Sequence, residues 1–324
     1  MTKRLHFADN RPARAVFMGT PEFALPSLEA LAEGTTIVGV VSQPDRARGR
    51  GLASQPSPVS ALALARGWPL IRPATLRDPD ALATLRAWEP DLIVVAAYGR
   101  ILSSTVLALP TVAPINVHAS LLPRHRGASP IAAALLAGDT TTGVTIMLMA
   151  QEMDAGDILL QQTVAIAPDD TTGTLTARLA EVGGRALAEA VACLRTDGLE
   201  PQPQDPAAVT FAPRLTKDDG RVRWSEPAVV IERKIRAFTP WPSAFTTLAG
   251  RTLKLVRARV APTRPAAGVA PGTVIALGDA ISVATGDGAL DVVMVQAEGK
   301  RALDARAFVA GARLAVGTRL DDAP

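Results

Sequence analysis

Short apolar runs alternate with helically spaced apolar residues through the first half of the chain. Residues 14–20 (RAVFMGT) and 36–43 (TIVGVVSQ) read as strands. Between them, 21–34 reads as a helix with Leu25, Leu28 and Leu31 near one face and Gly34 at its end. The spacing predicts a further helix over 58–67 and a strand over 91–99, apolar throughout as in strands buried on both faces. A strand over 114–120, a helical stretch through ALLAGD (134–139) and a strand over 143–149 follow. Such alternation implies an α/β fold with a mostly parallel sheet and helices on both faces.

Residues 172–198 form a long amphipathic helical pattern ending at Gly198, and the Pro- and Gln-rich stretch after it reads as an extended linker. The texture then changes. One helix is expected over 225–241, stopping before Pro240. Short alternating strands follow over 244–250, 251–261, 272–279, 280–288 and 289–297, separated by Gly-rich turns. That rhythm predicts a small β-barrel. The expected organisation is a first domain over 1–198, a linker over 199–214 and a second domain over 215–324.

Composition narrows the function classes. The chain has 324 residues, 48% of them apolar, which is ample for two cores at about 150 residues per domain. No run of 18 apolar residues occurs and the polar, basic start lacks a signal-peptide core, so a cytoplasmic protein without a membrane span is expected. The single cysteine, Cys193, excludes an internal disulfide and reads as a core residue. Net charge is +3, unevenly spread: from Arg214 onward there are 17 Lys+Arg against 11 Asp+Glu, and before it 17 against 20. A basic C-terminal part hints at a polyanionic partner. The turn at Gly19 has one glycine, which matches neither a dinucleotide nor a phosphate-loop pattern.

Three histidines occur, His6, His118 and His125. His118 ends an apolar strand, and ligands of open parallel sheets bind beyond strand carboxyl ends. Strand alternation puts Asn116 on the same side as His118, so an amide donor and a titratable imidazole stand together. Asp154 and Asp157 flank a glycine in the loop after 143–149. They could form an ordinary turn or half a metal site, but no ligand-rich cluster accompanies them. A loop carboxylate that orients the histidine is the more economical role, and no metal is expected.

NVHASLLPRHRGASPI (116–131) and MDAGDI (153–158) resemble the signature segments of the 10-formyltetrahydrofolate-dependent formyltransferases. GTPEFALPSLEAL, the 42–59 stretch SQPDRARGRGLASQPSPV, VVAAYGRIL, IRAFTPWPSAF and ATGDG narrow the resemblance to the branch whose acceptor is methionyl initiator tRNA. It covers nearly the whole chain. It implies a Rossmann-like catalytic domain, an OB-like C-terminal barrel that binds tRNA, and formyl transfer from 10-formyltetrahydrofolate to the methionyl α-amine. By the same resemblance Asn116, His118 and Asp154 are the catalytic trio, and Ser120, Leu121, Leu122 and Pro123 line the folate site. Arg46, Arg48 and Arg50 belong to a loop that meets the tRNA acceptor stem, and Arg50 matches the family's important arginine. Leu52 and Ala53 stand where the family often has lysines. On strand 251–261, Arg251, Lys254, Arg257 and Arg259 offer a second phosphate contact, with Lys254 on the opposite strand parity from the others. A monomer is expected. The rival reading is a formyltransferase acting on a small amine such as a nucleotide-linked amino sugar, and a catalytically silent RNA-binding protein stands further off.

Overall fold

The computed structural model describes residues 4–8, 11–48, 53–312 and 314–322. Two compact units divide the chain, one of Met1–Pro130, Thr141–Ala165 and Thr176–Ala212, the other of Ile131–Thr140, Ile166–Leu175 and Pro213–Pro324. Up to the long helix the elements run β1 (Arg14–Gly19), α1 (Leu25–Gly34), β2 (Thr36–Val41), β3 (Arg46–Arg48), β4 (Ala53–Gln55), α2 (Pro58–Arg66) and β5 (Leu70–Ile71). Then come α3 (Pro79–Ala87), β6 (Leu92–Ala96), α4 (Ser104–Leu107), β7 (Ala113–His118), β8 (Arg126–Gly127), α5 (Pro130–Ala137), β9 (Thr141–Leu148), β10 (Ile158–Ala165) and α6 (Thr172–Arg195).

Seven strands form one sheet in the order β10-β9-β7-β6-β1-β2-β5. The five from β7 to β5 are parallel, and β9 and β10 continue the sheet in antiparallel pairs. The reversal of strand order between β1 and β6 opens a crevice at the carboxyl edge. Every residue of β6 is buried, as its unbroken apolar run predicts. The strand ends at Ala96, before the sequence pattern does, because Ala97 and Gly99 turn the chain through positive φ. The helix expected over 21–34 is split: a 3-10 turn takes Glu22–Ala24 before α1 begins. Local chemistry sets other ends. Ser57 caps α2 by accepting from the Ser60 N–H, and Gly67 closes that helix in the left-handed conformation.

The residues before β1 clasp the end of α6. Leu5 and Leu199 exchange both backbone hydrogen bonds at 2.8 Å, and the Phe7 N–H donates to the Leu194 carbonyl at 3.0 Å. The Arg195 guanidinium lies over the Phe7 ring, 5.2 Å from its centre. The Phe7 contact uses a carbonyl in the last turn of α6 that a helix C-terminus otherwise leaves orphaned. Cys193, expected in the core, is half-buried.

Gln202 exchanges hydrogen bonds with Ile158 at the start of β10, and β11 (Phe211–Ala212) pairs in parallel with β8.

The second unit carries α7 (Ala228–Ala237), β12 (Ala244–Leu248), β13 (Arg251–Val260), β14 (Val274–Leu277), β15 (Ile281–Ala284), β16 (Ala289–Ala297), β17 (Leu303–Asp304) and α8 (Ala305–Ala312). Its antiparallel sheet runs β12-β13-β16-β15-β14, with β17 on β16. The tail closes it, since Asp321 pairs with Thr247 in β12 and Arg319 with Thr273 next to β14. Trp224 is buried in the core so formed and donates its indole N–H to the Thr246 hydroxyl at 2.9 Å.

Candidate active site

Strand β7 presents two faces. Ile115 and Val117 are buried on one, while Asn116 and His118 share the other at the carboxyl end. Register with β6 and β9 fixes the pair: Asn116 lies opposite Val95 and Met147, His118 opposite Thr145. The Asn116 carboxamide is partly exposed and makes no hydrogen bond among the described residues, so its donor is available to a ligand.

His118 is 6% exposed. Its Nε2 lies 3.1 Å from the His125 carbonyl oxygen. A carbonyl only accepts, so Nε2 carries the hydrogen of the neutral ring. The remaining nitrogen, Nδ1, lies 3.7 Å from Asp154 Oδ2, too far for a hydrogen bond but within ion-pair reach. Burial pushes the imidazole pKa below 6.5, against the opposing pulls of the Asp154 carboxylate and the His125 carbonyl. The ring is therefore neutral at neutral pH, with an Nδ1 lone pair facing a carboxylate. A proton arriving at Nδ1 turns that repulsion into attraction.

The carboxylate is held in place from β8. Asp154 Oδ2 accepts the Gly127 N–H at 2.8 Å. Gly127 has φ +128°, and a Cβ there would meet the Ala212 carbonyl oxygen at 2.4 Å, so only glycine lets β8 approach. Asp154 itself has φ +52°, an uncommon conformation for a residue with a side chain. Gly156 completes the turn because a Cβ there would lie 1.9 Å from the Leu148 carbonyl oxygen. The glycine between Asp154 and Asp157 is thus a close-packing position. Among the described residues no group of three His, Cys, Asp or Glu side chains could hold a metal.

The 120–123 segment is a shaped loop, and Thr145 is its hub. The Thr145 hydroxyl donates to the Ser120 carbonyl at 2.7 Å and accepts from the Leu122 N–H at 3.1 Å and Gln161 Nε2 at 2.9 Å. Gln161 also donates to the Leu122 carbonyl, and the Ser120 hydroxyl to the Arg124 carbonyl. Ser120 and Leu122 are buried and hold the loop from within, whereas Leu121 and Pro123 are partly exposed and offer its surface.

Part of the arginine segment is paired strand. Strand β3 pairs with β4 from Arg46↔Gln55 to Arg48↔Ala53. Two contacts tie its base: the Ser42 and Ser57 hydroxyls lie 2.7 Å apart, and Arg72 pairs with Asp45. Only backbone is described for Arg46, Arg48 and Ala53, and Arg50 and Leu52 lie outside the described residues.

On the barrel, β13 has register shifts on both sides of Arg257. They upset the simple parity count. Leu253 and Leu255 face the core and so does Ala258 beyond the shift, which puts Lys254, Arg257 and Arg259 together on the outer side. A parity count that sets Lys254 apart from Arg251, Arg257 and Arg259 does not carry across those shifts. Arg251, exposed, opens the strand. Arg259 is engaged by Asp291 at 3.3 Å.

Sequence reasoning missed Thr145, Gln161, Arg126 and Gln204. Arg126 stood inside a quoted motif without a role. Gln204 lies in a Pro/Gln-rich stretch where no periodicity marks it.

Two family descriptions match: formyl transferase over residues 13–191 and formyl transferase, C-terminal domain, over 214–313. The chain is 50% identical to the methionyl-tRNA formyltransferase of Roseiflexus sp. (strain RS-1) over 314 residues, 96% of each chain. It is 48% identical to that of Myxococcus xanthus (strain DK1622) over 311 residues, 96% of this chain and 98% of the relative. Among solved structures, an N-formyltransferase from Helicobacter canadensis in complex with folinic acid and dTDP-3-aminofucose superposes with TM-score 0.65 at 16% identity, over 87% of this chain and 98% of that one. HypX from Aquifex aeolicus in complex with tetrahydrofolic acid gives TM-score 0.60 at 18% identity, over 93% and 47%. At those identities the two structures speak for the fold alone.

Proposed function

The chain belongs to the formyl transferase family, with both family domains in order, and from that we propose that it formylates the α-amine of methionyl initiator tRNA, using 10-formyltetrahydrofolate. The observation that carries the reading is the Asp154 carboxylate 3.7 Å from Nδ1 of the buried His118, two residues beyond a free Asn116 amide. Near-full-length identity of about half to methionyl-tRNA formyltransferases supports the acceptor.

The folate is the formyl donor, a substrate and not a resident cofactor. The site suits it, with an unpartnered amide donor on β7 and the partly exposed Leu121 and Pro123 in the loop that follows the strand. In the transfer a C–N bond forms to the methionyl nitrogen and the bond from the formyl carbon to N10 breaks. The Asn116 amide donates to the formyl oxygen as negative charge builds on it. His118 takes the proton of the attacking amine at Nδ1, Asp154 stabilises the resulting imidazolium, and the same proton is delivered to N10 as that nitrogen departs. Neutral His118 is the form competent to start. Positioning two large substrates supplies much of the rest.

The acceptor stem meets the β3–β4 hairpin through Arg46, Arg48 and Arg50, and Arg251, Lys254 and Arg257 of the barrel track phosphates without reading bases. Asn116, His118 and Asp154 all come from one chain, which is consistent with a monomeric working unit. Its place is the cytoplasm, where translation starts. The test is transfer of labelled formyl to charged initiator tRNA, charged elongator tRNA and a nucleotide-linked amino sugar. Preferred labelling of initiator tRNA supports the reading, and preferred labelling of the sugar overturns it.

A further inference from the structure

The turn that presents Asp154 is gripped by one side chain from the segment leaving the first unit. Gln204 Nε2 donates to the carbonyls of Asp154 and Gly156, at 2.8 and 2.7 Å. Its Oε1 accepts from Nε and Nη2 of Arg126, at 3.0 and 2.8 Å. A carboxamide has two N–H donors and two lone pairs, so every hydrogen-bonding position of Gln204 is used. Arg126 is buried, and its charge partner, Glu152 at 3.6 Å, is exposed. The flanking residues His125 and Gly127 provide the carbonyl on Nε2 of His118 and the N–H on the Asp154 carboxylate. One carboxamide therefore joins the two stretches that surround the imidazole.

We propose that Gln204 is a positioning residue for the catalytic carboxylate, a role that rests on the part given to Asp154 above. Asp154 sits at φ +52°, and a side-chain-bearing residue keeps such a conformation only where its surroundings over-determine it. Gln204 does this by engaging the carbonyls on both sides of residue 155. Its own backbone is anchored, with Gln202 paired to Ile158 and the Thr210 hydroxyl accepting the His125 N–H at 2.9 Å. Without the carboxamide donors, the turn relaxes and Oδ2 moves away from Nδ1. The reaction then loses the group that stabilises the protonated ring, while the surfaces that bind the two substrates stay as they are.

The test uses Gln204→Met and Gln204→Glu in the full-length enzyme, beside Asp154→Asn. Both Gln204 variants keep the side chain's length and lose its donors, and the carboxylate adds repulsion toward the two carbonyls. Two readouts are taken: steady-state kinetics, and the titration of His118 followed by NMR, where only three histidines need assigning. The expected result is that both variants shift the His118 titration downward, as Asp154→Asn does. They lower kcat about 10- to 100-fold with KM for both substrates little changed. Wild-type titration and turnover in both Gln204 variants, with Asp154→Asn altering both, overturns the proposal. So does a lowered melting temperature without a titration shift, the pattern of a packing role. If Asp154→Asn itself changes nothing, the catalytic reading of Asp154 fails, and the role of Gln204 with it.

Discussion

The imidazole of His118 donates from Nε2 to the carbonyl of His125 at 3.1 Å, which leaves its unprotonated nitrogen facing Asp154. This one hydrogen bond decides which nitrogen moves a proton in the reaction. Burial lowers the pKa of the ring, so the base is ready at neutral pH. Transfer at limiting substrate should rise with pH as the ring loses its proton, with an inflection below 6.5. Asp154 pulls that pKa upward, so Asp154→Asn should move the inflection to still lower pH and reduce the plateau. A pH–rate profile of kcat/KM for both proteins checks the direction. An upward move would assign the inflection to another group.

Asn116 has no partner among the described residues, so its amide is not part of the frame. Replacing it with Ala should leave the melting temperature unchanged and lower kcat about 10²- to 10³-fold, the effect of one lost oxyanion donor, about 3–4 kcal/mol. Kinetics alongside thermal melting separate this from unfolding.

Asp91 anchors the start of β1. Its carboxylate accepts from both terminal nitrogens of Arg11 at 2.8 Å, from the Arg14 N–H at 2.8 Å and from the Thr111 hydroxyl at 2.8 Å. Burial opposes ionisation, but these donors and the Arg11 charge hold its pKa below 3.8. A carboxyl depressed on folding contributes stability that is complete above its unfolded pKa and lost as pH falls through the folded one. Asp91→Ala leaves the inner N–H and hydroxyl donors unmet and should cost about 1–3 kcal/mol. Arg11 is half exposed, so its share of that loss is discounted for solvent screening. Denaturant melts of Asp91→Ala and wild type at pH 7 and pH 3 read it, with the gap narrowing in acid.

Lys254 and Arg257 stand on one outer face of the barrel with Arg251 at the strand's start. Removing one of them should weaken binding of all tRNAs alike and lower the magnitude of the salt-dependence slope by about 1. Arg259, already paired with Asp291, should matter less. Binding titrations across a salt series measure both effects.

Much of the catalytic unit was legible because alternation carries it. The parity that sets Asn116 beside His118 is a property of any strand, and the all-apolar run of β6 marks a central position. What was illegible depends on partners distant in sequence. Gln204 acts through carbonyls 48 and 50 residues away, and nothing local distinguishes it from the glutamines around it. The hairpin β3–β4 pairs arginines with a polar stretch that has no apolar face to betray a strand. On β13 the register shifts flanking Arg257 reset the parity, and a count from sequence cannot register a bulge. Helix α8 and the strand-like tail that closes the barrel are short and were not anticipated either.

Single-turnover transfer of labelled formyl to methionyl initiator tRNA by His118→Ala, with folate affinity measured on the same protein, tests the central claim most directly. A fall of about 10²- to 10⁴-fold in the transfer step with unchanged folate affinity is predicted for loss of a general base. Transfer within a few-fold of the wild-type rate would contradict it and remove the imidazole from the chemistry.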